Sequence, residues 1–417
     1  MSGRTGHADG RLGVVEPEVL TLADIQEAAE RIRGRVAVSP CAESAWLSEL
    51  TDTCLYLKLE NLQHTGSFKE RGACNRLLLL TDDERARGVI TASAGNHAQA
   101  VALHAGRLGI AATVVMPEST PLVKIESTRR FGARVELHGK SYDEAAERAA
   151  ELAREQGFVS VHPFDDPAVM AGQGTIGLEL LEQCPDVEAV VVPVGGGGLL
   201  AGVACAVKAL RPEVRVYGVE SRAFPGMKRA FENTEPSPVP PGKSIADGIA
   251  VQEVGTLTRR VARRYAEGIV LVDEEEIAEA ILFMLEREKT VAEGAGAVGL
   301  AALVHRHLPV QGRRVVLVVS GGNIDVNLVS RIIERGLVKT GRRVRLYLTV
   351  PDVTGTLAQV AAAVARTRAN ILEINHDRAF SAAGLGETRI ELVLETHGFS
   401  HIDSVRTELV AAGYRPE

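Results

Sequence analysis

Short, continuous apolar segments alternate with longer amphipathic ones through most of the chain. Four apolar segments have the length of buried strands: Ala111–Met116, Ala189–Val194, Val214–Val219 and Val315–Val319. Because their apolar residues run on rather than alternate with polar ones, we predict parallel strands buried on both faces. Segments of helical length such as Ser141–Gln156 and Asp273–Arg287 separate them. The pattern predicts an α/β domain at residues 16–338 with more than one sheet and a smaller subdomain at about residues 65–162.

The start of the chain divides into a polar leader and a helix. Residues 1–15 have no sustained apolar pattern, and we predict a disordered leader there. Thr21 followed by Asp24 is typical of a capping box, and apolar residues recur at helical spacing up to Ile32, before Gly34. This pattern predicts a capped amphipathic helix.

The end of the chain has a different order of elements. After a charged link at Lys339–Arg343, we predict a strand, a helix, two strands and a helix: Val344–Val350, Thr354–Arg368, Ile371–Phe380, Glu387–Thr396 and Ser400–Ala412. This order is most of a βαββαβ unit, the ferredoxin-like arrangement. We therefore predict a second, small domain at residues 343–417.

Composition and charge exclude several classes of protein. Hydrophobic residues make up 45% of the chain and charged ones 24%, as in ordinary globular proteins. The net charge is -7 and the basic residues are dispersed, so we expect no nucleic-acid partner. The 5 cysteines form no C-x-x-C pair, and we predict no metal site. We see neither a signal peptide nor a segment long enough to cross a membrane, which predicts a cytoplasmic protein without a membrane partner.

Three polar or glycine-rich segments directly follow predicted strands: Ser93–His97, Gly195–Gly198 and Ser320–Asn323. In a parallel sheet such segments meet at the carboxyl edge, where ligands bind. The four glycines allow the backbone to approach a ligand closely, and the positive end of the following helix favours an anion, so a phosphate site is one interpretation. The other is a tight turn that packing alone requires. The segment is not a P-loop or a dinucleotide fingerprint, because no Gly-Lys-Ser/Thr follows and Leu200 occupies the third glycine position.

Lys69 is a fourth candidate, at the predicted start of a helix after Thr65-Gly66-Ser67-Phe68. Most lysines are solvated surface charges. The positive potential of a helix N-terminus lowers the pKa of a lysine, however, and favours the free amine that forms a Schiff base. Asn96 can hydrogen-bond an anionic oxygen without titrating. The alternative interpretation is that Ser93–His97 is only a polar turn at the start of a helix.

Taken together, these segments resemble the fold-type-II enzymes that use pyridoxal phosphate (PLP), and among them the threonine (serine) dehydratases. The matching stretches, in the family's order, are Lys58–Gly72, Ser93–His97, Ala171–Gly177, Gly195–Leu199, Ala246–Gly248 and Ser320–Asp325. The resemblance implies a catalytic unit of two open sheets, like that of tryptophan synthase β, with PLP as cofactor. It also implies an amino-acid substrate, L-threonine giving 2-oxobutanoate and ammonia, with L-serine giving pyruvate as a side reaction.

The resemblance also implies roles for individual residues. Lys69 would bind PLP covalently and take the α-proton of the substrate, and Phe68 would pack against the ring. Asn96 would bond the phenolic oxygen of the ring, and Ser320 would face its nitrogen. The phosphate would be bound by Gly195, Gly196, Gly197, Gly198 and Leu199. The substrate carboxylate would be bound by the loop of Ser93, Ala94, Gly95 and His97.

Two alternatives remain beside the dehydratase interpretation. Serine racemases are similar throughout, but their second acid/base is a serine directly after the position of Ser93, where this chain has Ala94. Their cation site uses two acids; Glu220 matches the first, but Gly226 occupies the second, so we predict no metal. The other alternative is a non-catalytic amino-acid sensor on a PLP fold, which the intact Lys69 and glycine segment disfavour.

The last 75 or so residues resemble an ACT domain, a small amino-acid-sensing module. The resemblance is carried by Val350–Leu357, in which Gly355 opens a helix, and by Asn370-Ile371 at the start of a strand. It implies an amino-acid effector bound near Asp352, Gly355 and Asn370, allosteric regulation, and a homodimer or homotetramer. A domain that serves only for dimerisation is the alternative.

Overall fold

The computed structural model describes residues 19–232, 242–378 and 384–417. The predicted leader at residues 1–15 lies outside these ranges, as does the end of the predicted strand Ile371–Phe380. The helices are α1 Leu22–Ile32, α2 Ala45–Thr51, α3 Lys69–Leu78, α4 Asp82–Arg87, α5 Asn96–Arg107, α6 Leu122–Arg130, α7 Tyr142–Gln156, α8 Pro167–Gln183, α9 Gly198–Leu210, α10 Gly226–Phe231, α11 Thr256–Tyr265, α12 Glu274–Glu286, α13 Gly294–Val304, α14 Val326–Lys339, α15 Thr356–Arg366 and α16 Phe399–Ala411. The strands are β1 Cys41–Glu43, β2 Cys54–Leu59, β3 Val89–Ala92, β4 Ala112–Met116, β5 Arg134–Leu137, β6 Val159–Ser160, β7 Ala189–Pro193, β8 Arg215–Ser221, β9 Gly268–Val272, β10 Arg314–Val319, β11 Arg343–Pro351, β12 Asn370–Asp377 and β13 Glu387–Glu395.

The predicted first helix is confirmed by α1 and its cap. Thr21 Oγ1 accepts from the backbone amide of Asp24 at 3.3 Å, and the Asp24 carboxylate accepts from the amide of Thr21 at 2.8 Å. This reciprocal pair satisfies two amides that the first turn leaves unbonded. Across the described ranges, no helix has both the length and the apolar character needed to cross a membrane.

Packing divides the described residues into two compact units. Unit 1 contains the described residues up to Ala280 together with Arg287–Asn323, and unit 2 contains Ile281–Glu286 and Ile324–Glu417. Helix α14 belongs to unit 2, where Gly336 lies against Leu282 and the helix packs against β11. The division therefore falls before the charged link at residues 339–343.

A six-stranded sheet forms the larger part of unit 1, in the order β1-β2-β10-β7-β8-β9. All its neighbours are parallel except β1 and β2. Every residue of β7 is buried, because helix α9 packs on this part of the sheet and so does the apolar helix α13. The continuous apolar pattern of these strands is thus explained by burial on both faces.

The second sheet of unit 1 is four-stranded and fully parallel, in the order β5-β4-β3-β6. Its two faces carry separate apolar clusters. Val89 and Val114 pack with residues of α5, whereas the next residues along each strand, Ile90 and Val115, pack with residues of α7. The two open sheets confirm the predicted α/β class, and this sheet falls inside the predicted range 65–162.

Unit 2 contains a small antiparallel sheet in the order β11-β13-β12. Its core joins inward residues of the strands, such as Leu346 and Leu392, to Val360 of α15 and Val405 of α16. The fourth strand of a βαββαβ unit is reduced to a short bridge at the chain end, beside β11. The arrangement is consistent with the predicted ACT-like domain.

Candidate active site

The segment before α3 is hydrogen-bonded through its backbone to the loop that follows β10. The backbone amide of Phe68 donates to the carbonyl of Ser320 at 3.0 Å, and that of Gly322 donates to the carbonyl of Gly66 at 2.9 Å. Gly66 has a φ of +73°, and a Cβ there would lie 2.6 Å from Asn323 Oδ1. Glycine is therefore required where the two segments meet.

Lys69 is the first residue of α3 and is partly buried. Its Nζ donates to the carbonyl of Pro163 at 2.8 Å and lies 5.2 Å from the centre of the Phe68 ring. Burial lowers the pKa of Lys69 to about 8, although the nearby Glu293 carboxylate opposes this shift. The lowered pKa increases the fraction of neutral amine close to neutral pH, and the neutral amine is the form that acts as a nucleophile or base.

A buried network of charges fixes α3 in place. The guanidinium of Arg71, 1% exposed, binds the Glu60 carboxylate through Nη2 at 2.7 Å and Glu179 through Nη1 at 2.6 Å. Lys58, on β2, donates to the other oxygen of Glu179 at 2.6 Å. Two positive and two negative charges are thus balanced between α3, α8 and β2. Lys69 lies two residues before Arg71, so its backbone position depends on this network.

The loop after β3 brings Asn96 and His97 to the same region. His97 is 3% exposed, and its Nε2 lies 3.1 Å from the carbonyl of Val161. Burial, with the nearby charge of Lys69, lowers the pKa of His97 to about 3. The imidazole is therefore neutral at physiological pH. Ser93 Oγ accepts from the amide of Gly95 at 3.3 Å, and Ala94 packs partly buried against the apolar cluster under α5.

The glycine segment after β7 is packed against its neighbours on the side where a Cβ would stand. A Cβ at Gly196 would lie 2.4 Å from the ring of Phe164, and one at Gly197, where φ is +95°, would lie 2.4 Å from the end of Met227. Gly197 is the N-cap of α9, and no side-chain cap satisfies the first amides of that helix. Such uncapped amides at a positive helix end suit a phosphate.

These residues fit a phosphate-bearing aldehyde such as PLP. Among the described residues around Lys69, the buried polar atoms without a hydrogen-bond partner include Thr65 Oγ1, Ser67 Oγ and His97 Nδ1. Native proteins satisfy most buried polar groups, so their concentration beside a partly neutral amine indicates a polar ligand. Ser320, 2% exposed, directly follows β10, and Leu199 is 5% exposed at the start of α9.

Sequence reasoning missed Glu293. This carboxyl group is 4% exposed and accepts from Asn96 Nδ2 at 2.7 Å. Burial, reinforced by Asp247, raises the pKa of Glu293 to about 7. Its one signal in the sequence is an acid directly before the helix-starting run Gly294-Ala295-Gly296, but it follows a helix rather than a strand.

The carboxyl group of Glu220 is satisfied by backbone amides. It accepts from those of Met227 and Lys228, both at 2.8 Å, and burial raises its pKa to about 8. Within residues 19–232, 242–378 and 384–417, no cluster of three or more His, Cys, Asp or Glu side chains could hold a metal ion.

The three effector candidates lie at two ends of the small sheet in unit 2. Asp352 and Gly355 follow the end of β11, and Arg378 Nε donates to both oxygens of Asp352 at 3.0 Å. Asn370 begins β12 opposite Glu395, the last residue of β13, whereas β11 ends opposite the first residue of β13. A single chain therefore does not bring Asn370 into one site with the other two, because β11 and β12 run in the same direction.

The fold and the site are those of a PLP enzyme, and comparison of the sequence with family models gives the same class. The model of the family described as pyridoxal-phosphate dependent enzyme matches residues 32–321. The chain belongs to this family.

The similarity extends to named relatives. An L-threonine ammonia-lyase of Thermotoga maritima is 50% identical over 396 residues, which are 95% of this chain and 98% of that protein. Among solved structures, maize serine racemase has a TM-score of 0.72 at 32% identity, covering 77% of this chain and 99% of that one. Threonine deaminase isoform 2 of Solanum lycopersicum has a TM-score of 0.71 at 38% identity, covering 75% and 86%.

Proposed function

We propose that this chain is a threonine ammonia-lyase that converts L-threonine to 2-oxobutanoate and ammonia and accepts L-serine as a side substrate, giving pyruvate. The observation that carries the proposal is the amine of Lys69, with its pKa lowered to about 8, where the loops after β3 and β10 meet. The Thermotoga maritima relative, 50% identical over 95% of the chain, supports the choice of substrate.

The proposed roles are those that the family resemblance implies, and the positions of the side chains around Lys69 support them. Bound PLP supplies an electron-withdrawing ring that acidifies the α-carbon of the amino acid. Lys69 then takes the α-proton, and the uncapped amides of α9 hold the phosphate. Ser320 would face the ring nitrogen with a neutral hydroxyl, which would not keep that nitrogen protonated as a carboxylate would. Such a weaker electron sink suffices when the electrons leave with a β-hydroxyl.

The loop after β3 is proposed to bind the substrate carboxylate through Ser93, Ala94, Gly95 and His97. Because the pKa of His97 is about 3, this imidazole offers a neutral Nε2–H to the Val161 carbonyl and cannot serve as the base at neutral pH. Lys69 is thus the base of the proposed mechanism.

Racemisation is the competing reaction, since maize serine racemase has a similar fold. It requires a second acid/base group on the ring face opposite Lys69. Ala94 stands where the resemblance places the serine of racemases, and a methyl group cannot exchange protons. The expected products from L-serine are therefore pyruvate and ammonia.

The test is an assay of 2-oxo acid release from L-threonine and L-serine, with chiral analysis of the remaining serine. We expect 2-oxobutanoate and pyruvate to form and little D-serine to accumulate. Substantial D-serine, or no 2-oxo acid from either substrate by the PLP-loaded enzyme, would refute the proposal.

We further propose that unit 2 is a regulatory domain, that the protein is a homodimer or homotetramer, and that it is cytoplasmic. Asp352 and Gly355 are retained as effector-site residues because they form the turn before α15, where Gly355 has a φ of +94°.

A threonine titration with isoleucine, valine or AMP added in turn should show a shifted half-saturation with at least one ligand. Asp352→Ala should abolish the shift while Asp403→Ala, on α16, should not. Identical titrations with every ligand would leave dimerisation as the role of this unit.

A further inference from the structure

Glu293 lies next to the loops that follow β3 and β10, although it belongs to neither of them. Its backbone amide donates to the carbonyl of Gly321 at 3.0 Å, so the residue is attached to the loop after β10. A Cβ on Gly321 would lie 2.3 Å from Glu293 Oε1, so glycine leaves the room that the carboxylate occupies. The carboxylate faces Asn96, the residue proposed to bind the phenolic oxygen of the cofactor.

Both ends of the Asn96 amide are engaged by protein groups. Nδ2 donates to Glu293 Oε1 at 2.7 Å, and Oδ1 accepts from Asn323 Nδ2 at 2.8 Å. Asn323 Nδ2 also donates to the backbone carbonyl of Thr65 at 2.6 Å. A carbonyl can only accept, so Thr65 fixes which end of the Asn323 amide faces it, and Asn323 in turn fixes Asn96.

A flipped Asn96 amide would be unfavourable at both ends. Its oxygen would face the Glu293 carboxylate, and its NH₂ group would face the NH₂ group of Asn323. In the orientation observed, one hydrogen of Nδ2 is directed to Glu293 and the other remains for a ligand.

We infer that Glu293 is a positioning residue for the cofactor: its carboxylate, with Asn323, holds the Asn96 amide so that its second N–H is presented to the phenolic oxygen of the ring. The inference rests on the proposed placement of that oxygen at Asn96. Glu293 itself need not touch the cofactor.

The charges around Glu293 agree with this role. Burial and Asp247 raise its pKa to about 7, whereas the Asn96 hydrogen bond, Lys124 and the backbone amide of Asn323 oppose the shift. Asp247 and Lys124 form an ion pair at 2.7 Å, so their effects on Glu293 partly cancel. Burying a carboxylate is unfavourable unless it is hydrogen-bonded. Glu293 accepts a hydrogen bond from Asn96 that an apolar residue at this position could not accept.

The experiment is a double-mutant cycle on cofactor affinity. The full-length protein is stripped of cofactor and titrated with PLP, followed by visible absorption without substrate. Asn96→Ala and Glu293→Ala should each weaken PLP binding by about tenfold, the loss of one hydrogen bond involving a charged group. The double variant should bind no more weakly than Asn96→Ala within about twofold, because Glu293 acts through an amide that is already absent.

Two further variants separate positioning from folding. Glu293→Gln keeps the volume and one acceptor oxygen, so it should retain affinity within about threefold of the original protein. Glu276→Gln, on α12, removes a carboxylate that binds His307 at 2.8 Å and should leave PLP affinity unchanged.

The outcomes are distinct. A double variant that loses the product of the two single effects, or a Glu293→Ala variant with unchanged affinity, would overturn the positioning role while leaving the proposed function intact. If Asn96→Ala itself has unchanged affinity, the proposed placement of the cofactor fails, and the inference fails with it.

Discussion

Replacing Arg71 with methionine should destabilise β2 and the first turn of α3. Arg71 makes two hydrogen bonds to the Glu60 carboxylate, at 2.8 and 2.7 Å, and Glu60 is fully buried. Burial alone would raise the pKa of Glu60, but Arg71, together with Ser39 and Lys58, outweighs burial and lowers it. Methionine keeps the apolar stem of Arg71 and removes its charge, so Glu60, Glu179 and Lys58 are left with a net negative charge in the interior.

Breaking a buried ion pair from one side costs about 3–5 kcal/mol, because the remaining charge is buried without compensation. Removing Glu60 as well should restore much of the loss. In Arg71→Met with Glu60→Met, the remaining ionic groups are Lys58 and Glu179, which stay paired at 2.6 Å. The double variant should therefore be more stable than Arg71→Met alone.

The chain has two compact units, so a global unfolding signal would combine their transitions. Hydrogen exchange of peptides that cover β2 and α3, measured at increasing urea, reports the local free energy of opening instead. Arg313→Met is the matched control, because its ion pair with Glu188 is exposed on both sides, at 43% and 46%, and should contribute less than about 1 kcal/mol. A loss below about 1 kcal/mol for Arg71→Met, or a double variant less stable than the single one, would refute the argument.

Four other variants or conditions test the site. Lys69→Ala should stay folded, bind PLP weakly and release no 2-oxobutanoate, as measured by circular dichroism and 2-oxo acid assay; turnover like that of the original protein would contradict the mechanism. In the cofactor-free protein, the rate of PLP incorporation should rise about tenfold per pH unit up to about pH 8 and then level off, because only the neutral Lys69 amine reacts, whereas an unshifted lysine would continue to gain rate past pH 10. Gly196→Ala should weaken PLP binding, because its Cβ would meet the Phe164 ring at 2.4 Å, while Gly268→Ala, where a Cβ meets nothing within 4 Å, should not. Ala94→Ser should open a slow racemisation of serine, detected as more D-serine than the little that the original enzyme forms.

The elements of this fold were predictable where local pattern and burial agree. The strands β4, β7 and β10 are continuous apolar runs because helices cover both faces of their sheets, and α1 was predictable from the capping box of Thr21 and Asp24. The loops after β3, β7 and β10 were predictable as site segments because parallel strands place them at one edge. Helix α15 begins at Thr356, two residues after the predicted start, because Gly355 takes the left-handed N-cap position.

Contacts between distant segments were not predictable from such patterns. Glu293 and Asn96 are 197 positions apart, and neither the hydrogen bond between them nor the burial of the carboxyl group leaves a periodic signal. The buried pairing of Arg71 with Glu60 and Glu179 could not be predicted from the sequence either, because a charged residue in a helix ordinarily indicates an exposed face. The start of β12 shows a related limit of pattern reading. Asn370 matches the sequence pattern of an effector site, but the direction of the strands separates it from Asp352.

Burial acts in opposite directions on the pKa values of Lys69 and Glu293, two ionisable groups close to the proposed reaction. It lowers the pKa of Lys69 to about 8 and raises that of Glu293 to about 7, so both groups titrate close to neutral pH, whereas His97, with a pKa of about 3, does not. Each group also affects the other, because ionised Glu293 favours the protonated amine. Without Glu293, the same burial would lower the pKa of Lys69 further and weaken it as a base for the α-proton. On the inference above, the buried carboxyl group would support the proposed chemistry twice, by holding Asn96 and by maintaining the basicity of Lys69.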